Sequence, residues 1–134
     1  MRNEEWGISR VSFKNISTMK ERNVIVDKSK AFALRILKLH DYLIKKKVFS
    51  LSDQILRSGT SIGANVKEAT AAQGKKDFCA KMYIALKEAS ETEYWLELLY
   101  EGGIIEKAHY DSMIEDCREL VKILSSITKT AKQK

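Results

Sequence analysis

Apolar side chains recur along this chain at helical spacing, in stripes separated by short breaks, and no run alternates at the two-residue period of a strand. Over residues 27–46, Phe32, Ile36, Leu39 and Leu43 fall at i, i+4, i+7 and i+11, flanked by Leu37 and Ile44. This predicts a first helix. A second is predicted over about 50–72, with Ser50 or Ser52 as its cap and Asp53 favourable in its first turn, until Gly74 interrupts the pattern. Across 75–101, Phe78, Met82, Ala85, Ala89, Thr92, Leu96 and Leu99 alternate four- and three-residue steps, a heptad seam that Gly102-Gly103 brings to a stop. Tyr110, Met113, Cys117, Leu120, Leu124 and Ile127 repeat that seam over about 106–129, widened by Ile114 and Val121. Short connections between long helices make neighbours antiparallel. The expected fold is therefore all-α, an antiparallel up-down-up-down four-helix bundle over residues 27–130.

The ends of the chain lack this order. Residues 1–26 mix charges with Trp6, Phe13 and Ile16 without a sustained period and are expected to form an arm that docks onto a neighbour; residues 131–134 read as a basic tail. Several apolar residues also lie off the seams, namely Leu34, Tyr83, Ile84, Trp95 and Leu98. A single small bundle would leave some of them wet, so a second apolar face points to self-association.

The segment Arg57-Ser58-Gly59-Thr60-Ser61-Ile62-Gly63-Ala64-Asn65-Val66-Lys67-Glu68-Ala69 stands out within the second helix. Ile55, Ile62, Val66 and Ala69 keep helical spacing, yet the residues between them include several that cost roughly 0.5–1 kcal/mol against alanine in a helix interior. Close packing explains such a composition: Ser58, Gly59 and Gly63 let another helix approach at short range. Ser61, Asn65 and Glu68 share one face of this helix, and with Arg57 they are expected to converge on a hydrogen-bonded network that locks the packing. The rival reading of the same four residues is a contact to a small ligand or nucleotide.

Composition narrows the class further. At 134 residues the chain is one domain, and the absence of proline fits a helical protein. Cys79 and Cys117 are the only cysteines and lie far apart on apolar helical faces, so neither a disulfide framework nor a zinc pair is indicated. Arg2, Glu4, Glu5 and Arg10 interrupt the start of the chain where a signal peptide would need an apolar run, and no stretch approaches the roughly 20 apolar residues of a membrane span. The expected location is cytoplasmic, with no membrane partner, so the sequon Asn15-Ile16-Ser17 has no secretory context.

Enzyme chemistry finds little support. Glu106-Lys107-Ala108-His109 supplies one Glu-x-x-His, whereas a di-iron bundle needs two such pairs with inward carboxylates on the other helices. A metal site from His40, His109, Cys79 and Cys117 would need four helices to converge at one level without any local ligand pair. Ser58 and Ser61 have no base evident in the sequence, and Gly59-x-x-x-Gly63 lacks the lysine of a phosphate loop. No enzyme activity, metal or cofactor is expected.

Arg57 to Asn65, Glu68-Ala69, Lys76-Asp77-Phe78, Ala85-Leu86-Lys87-Glu88-Ala89, Glu91-Thr92 and Tyr94-Trp95-Leu96 together resemble the bacterial four helix bundle protein family, which includes proteins encoded by intervening sequences within large-subunit ribosomal RNA genes. The resemblance covers about 23–130. It implies a four-helix protomer that assembles into a ring, typically a pentamer, and it implies no catalytic activity. A fold-level likeness extends to the accessory variability protein of diversity-generating retroelements, a basic pentamer that binds reverse transcriptase and nucleic acid; this likeness is an analogy only.

The formal charge of +6 conceals a division along the chain. Residues 1–87 carry 18 Lys and Arg against 8 Asp and Glu, whereas residues 88–119 carry 2 against 10. Lys28, Lys30, Arg35, Lys38, Lys45, Lys46 and Lys47 lie on or near the first helix, with Arg57, Lys75 and Lys76 beyond it. They are the candidate contacts to nucleic acid, RNA favoured over DNA, and such contacts to phosphate would weaken steeply with salt. No aromatic RNP pattern, KH-type loop or zinc knuckle accompanies them. The alternative is an oligomeric scaffold or adaptor that binds a protein partner, such as a nucleic-acid-processing enzyme, through Glu88, Glu91, Glu93, Glu97, Glu101, Glu115, Asp116 and Glu119. Those carboxylates could equally pair with basic groups of a neighbouring subunit.

Overall fold

The sequence stripes become the inner faces of four helices. The computed structural model describes residues 13–132, and α1 (Phe13–Lys45), α2 (Ser50–Thr70), α3 (Lys75–Glu101) and α4 (Lys107–Lys132) are its elements, with no strand among the described residues. Each helix packs on its neighbour in sequence and α1 closes against α4, so α1 and α3 occupy opposite corners. Phe32, Ile36, Leu39 and Leu43 of α1, Ile55, Ile62 and Val66 of α2, and the whole expected seam of α3 are buried. The α4 seam is likewise buried from Met113 to Ile127, while its first expected member, Tyr110, is half-buried and stacks on Tyr100 at 4.6 Å between ring centroids.

Specific contacts fix the register. Ile36 lies against Gly59 and Ser29 against Gly63 between α1 and α2. Between α2 and α3, Ser58 meets Thr92 and Glu68 meets Lys81. Cys117 of α4 donates its thiol proton to the Ala89 carbonyl of α3 at 3.4 Å. Tyr42, Arg35 and Lys28 of α1 meet His109, Asp116 and Glu119 of α4 in turn.

Three boundaries differ from the sequence expectation. The first helix begins at Phe13, not at residue 27, and therefore takes in the second half of the expected arm. Ile25 is fully buried and Ser29 nearly so, which carries the α1 seam backwards from Phe32 at the same spacing. At the other end α4 continues to Lys132 with Ala131 buried, so the expected tail begins inside the helix. Residues 1–12 of the expected arm and 133–134 of the tail lie outside the described residues. Neither Ser50 nor Ser52 caps α2: the capping position is Phe49, and Ser52, one turn in and buried, donates to the Phe49 carbonyl at 2.8 Å.

The connections follow local rules. The α1–α2 turn places Lys47 at a φ of 64°, and Val48 N–H donates to the Leu43 carbonyl at 2.9 Å, closing the end of α1. Gly103, at a φ of 77°, takes the same left-handed conformation after α3, where its lack of a side chain removes the strain.

Candidate nucleic-acid interface

The motif on α2 divides into an inner and an outer face. On the inner face, a Cβ added at Gly59 would come within 2.7 Å of Ile36 Cγ1 and 3.0 Å of Ile36 Cγ2, so only glycine allows α1 this close. Gly63 is less demanding, since its added Cβ would stand 3.4 Å from the Ser29 carbonyl oxygen, an ordinary contact. Ser58 is fully buried with its hydroxyl 2.8 Å from that of Thr92, and the Thr92 hydroxyl also lies 2.8 Å from the Glu88 carbonyl of its own helix, so its one proton serves one of these two acceptors at a time. These three residues are packing devices.

The outer face does not converge as expected. Ser61 donates to the Arg57 carbonyl at 2.6 Å and Asn65 donates to the Ser61 carbonyl at 2.9 Å, both within α2. Their side chains are spent on their own backbone. The Arg57 guanidinium turns instead to α3, donating to Glu88 at 3.1 Å and to Glu91 at 2.6 Å. Trp95 Nε1–H donates to the same Glu91 carboxylate at 3.1 Å. The Arg57 hydrogen bond holds the Glu91 carboxyl below its ordinary value, outweighing the desolvation that acts the other way. Glu68 pairs with Lys81 of α3 at 2.8 Å, and that bond raises the Lys81 ammonium above its ordinary value.

The division of charge along the chain is resolved in part within the fold, where Lys28, Arg35 and Arg57 of α1 and α2 meet acidic groups of α3 and α4. Lys28 pairs with Glu119 at 3.2 Å, and Arg35 with Asp116 while donating to the Ser112 hydroxyl at 2.7 Å. Arg118 pairs with Glu93 at 2.9 Å between α4 and α3. Of the candidate phosphate contacts, Lys28, Arg35 and Arg57 are therefore tied across helix seams, and Lys45 is bound by Asp41 one turn before it. Lys46 lies over the Tyr42 ring at 5.1 Å. Among the described residues Lys30, Lys38, Lys47, Lys75 and Lys76 are exposed and have no carboxylate partner. The acidic set is depleted in the same way, leaving Glu101 and Glu115 as its exposed unpaired members.

The structure adds basic residues that the sequence pattern does not single out. Lys67 lies in the last turn of α2, at the end of the bundle where Lys75 and Lys76 begin α3, and the Arg22 guanidinium lies 4.3 Å from the Phe78 ring centroid at that same end. Arg22 falls in the aperiodic stretch expected to form the arm, and Lys67 sits inside a motif whose composition speaks of packing.

The remaining polar groups do not assemble into a reactive centre. An open cleft of about 280 Å³ between α1 and α4 is lined by Arg35, Lys38, Leu39, Tyr42, His109 and Met113. His109 meets the Tyr42 ring edge-on at 5.6 Å, while His40 faces Asp53 at 3.3 Å on the α1–α2 side. Cys117 is buried and its thiol is pushed up to about 12 by desolvation, whereas Cys79 is half-buried on α3. Among the described residues no three His, Cys, Asp or Glu side chains are grouped to hold a metal ion, and no helix is long and apolar enough to cross a membrane.

Residues 21–126 match the sequence profile of the 23S rRNA-intervening sequence protein family. The chain is also similar to a protein of unknown function from the S23 ribosomal protein family of Bacteroides thetaiotaomicron, known from its crystal structure, at 53% identity and a TM-score of 0.80 over 81% of this chain and 98% of that one. No curated protein matches.

Proposed function

From the premise that this chain belongs to the 23S rRNA-intervening sequence protein family, we propose that it is a non-enzymatic, oligomeric helical protein of the cytoplasm that binds nucleic acid, RNA in preference to DNA, through phosphate contacts. The observation that carries this reading is the charge that survives internal pairing. Acidic side chains of α3 and α4 are consumed by Arg57, Arg35, Lys28 and Arg118, while exposed lysines remain on α1 and around the α2–α3 turn. A surface with surplus cations favours contact to the phosphate backbone, which carries little sequence discrimination.

The protomer is an antiparallel up-down-up-down bundle, a reading supported by the paired residues of each seam, whose numbers fall along one helix as they rise along the next. Assembly into a ring is supported by two apolar surfaces at opposite corners. Leu34 and Leu37 stand exposed on α1, at 54% and 51%, and Tyr83 and Ile84 on α3, at 44% and 40%. Different surfaces that meet head to tail give a heterologous contact, which closes into a ring when the rotation allows. A pentamer is the size the family resemblance implies.

Fluorescence anisotropy of a labelled structured RNA, titrated with nucleic-acid-free protein across a salt series, tests the binding. Submicromolar affinity at low salt with a steep negative salt slope is the expected outcome. An absence of binding at low salt would overturn the reading and leave a scaffold for a protein partner in its place.

A further inference from the structure

We infer that the phosphate-contacting surface of this protein is one end of the bundle, where α2 passes into α3, and not the lysine-bearing side of α1. The inference rests on the nucleic-acid reading above and assigns it a place.

Among the described side chains, six exposed cations lie towards that end: Lys20, Arg22, Lys67, Lys75, Lys76 and Lys129. Lys67 and the Lys75-Lys76 pair are brought together by the short turn between their helices. Arg22 is fixed there by its contact with Phe78, 4.3 Å from the ring centroid. The pair Lys28–Glu119 sets the level of the other two helices. Lys20 precedes Lys28 by about 12 Å of helix and Lys129 follows Glu119 by about 15 Å, in the same direction, so both extend to this end. The acidic residues there offset the cluster only in part. Glu68 is bound by Lys81 at 2.8 Å, which leaves Asp27 and Asp77 exposed among the described side chains.

The opposite end has the reverse character. Lys45 is held by Asp41 and Lys107 by Asp111, Glu101 and Glu106 are exposed, and Lys46 and Lys47 are the cations left over. The molecule is thus polarised from end to end, although its net charge gives no hint of it.

The side of α1 fails for a different reason. Lys28 and Arg35 are paired with α4. Lys30 sits one turn before Leu34 on the exposed apolar stripe, so a subunit contact through Leu34 and Leu37 would cover it. An end surface escapes this conflict. Side-to-side assembly through α1 and α3 would leave it open and set copies of the cluster around one face, with the steep salt dependence that repeated phosphate contacts produce.

The test compares two charge-altered variants of the full chain in the same anisotropy assay. The end variant is Lys67→Glu/Lys75→Glu/Lys76→Glu and the side variant is Lys30→Glu/Lys38→Glu; all five positions are exposed, and size-exclusion chromatography with circular dichroism checks that each variant keeps its fold and assembly. The end variant is expected to raise Kd at least tenfold and to reduce the salt slope by about 2–3 in magnitude, as three lost phosphate contacts per bound protomer require. The side variant is expected to stay within about threefold of the parent, and Lys67→Arg/Lys75→Arg/Lys76→Arg to retain full affinity. Loss of binding in the side variant with the end variant unaffected, or equal losses in both, would overturn the inference while leaving nucleic-acid binding intact. Failure of the parent protein to bind RNA would overturn both.

Discussion

The seams that α2 makes with its neighbours and the seam between α1 and α4 are closed by different means. Against α1, Gly59 removes a side chain so that Ile36 can occupy its place, and against α3 a buried Ser58–Thr92 hydrogen bond crosses the interface. Between α1 and α4 the outer contacts are long and polar, Arg35 to Asp116 and Lys28 to Glu119, and a cleft of about 280 Å³ remains beside them. Small residues cost helix propensity and gain interior-like packing, whereas long charged side chains bridge a gap without filling it. Stability should therefore be concentrated in the α2 seams.

The largest effect is expected at Gly59. In Gly59→Ala the new methyl meets Ile36 Cγ1 at 2.7 Å and Cγ2 at 3.0 Å, atoms close to the α1 backbone that cannot swing aside. Urea unfolding should show a loss of about 1–3 kcal/mol, the usual range for overpacking. Gly63→Ala is the control, because its methyl reaches only ordinary contact at 3.4 Å and the helix gains up to about 1 kcal/mol of propensity. It should be neutral or stabilising. Equal losses at the two glycines would show that the motif acts through backbone flexibility and not through close approach.

Thr92→Val comes next and tests the other seam of α2. The substitution keeps shape but strips a buried partner from Ser58, at a cost of about 1–3 kcal/mol. Ser58→Ala should cost less, since Thr92 retains the Glu88 carbonyl at 2.8 Å. A reversed order would mean that the Ser58 hydroxyl is satisfied elsewhere.

How much of this is legible in the sequence depends on whether a residue's role is local. Gly59 announces close packing because a glycine inside a helical stripe sacrifices propensity that tight helix–helix contact can return, and the seam of α3 is legible down to Thr92 because its heptad spacing is unbroken. Ile25 escapes notice because polar Ser29 stands between it and Phe32, and a stripe interrupted by serine reads as ended. The outer face of the motif misleads for a related reason. Helical spacing places Arg57, Ser61, Asn65 and Glu68 on one side, but it does not reveal that short polar side chains bond back to their own helix while Arg57 and Glu68 reach across to α3. The pairing of the basic half of the chain with its acidic half is a tertiary fact, and so is the cluster at the α2–α3 end.

At the surface of the α2–α3 seam, Arg57→Met should cost about 0.5–1 kcal/mol at neutral pH, because the guanidinium is half-exposed and solvent screens its pairs. The acid limb distinguishes this pair from packing. Glu91 has its carboxyl held below the ordinary value by Arg57, so its contribution is fully present above about pH 4.5 and is lost as pH falls through the lowered value. The gap between parent and Arg57→Met should close below that pH in chemical denaturation measured across the acid range. A gap that persists unchanged to about pH 3 would assign the loss to the aliphatic stem of Arg57 instead of its charge.

The smallest effect is expected at the α1–α4 seam, and there it is the smallness that matters. Arg35→Met removes the guanidinium from Asp116 and Ser112 while keeping most of the stem against the cleft. Both partners are more than one-third exposed, which limits the loss to below about 1 kcal/mol at low ionic strength. At about 1 M salt, where the screening length is about 3 Å, little of that difference should survive. A double-mutant cycle with Asp116→Asn separates the pair from whatever else Arg35 touches. A coupling as large as the Gly59→Ala loss, insensitive to salt, would mean that α1 is held to α4 as firmly as to α2, and the contrast between the seams would fall with it.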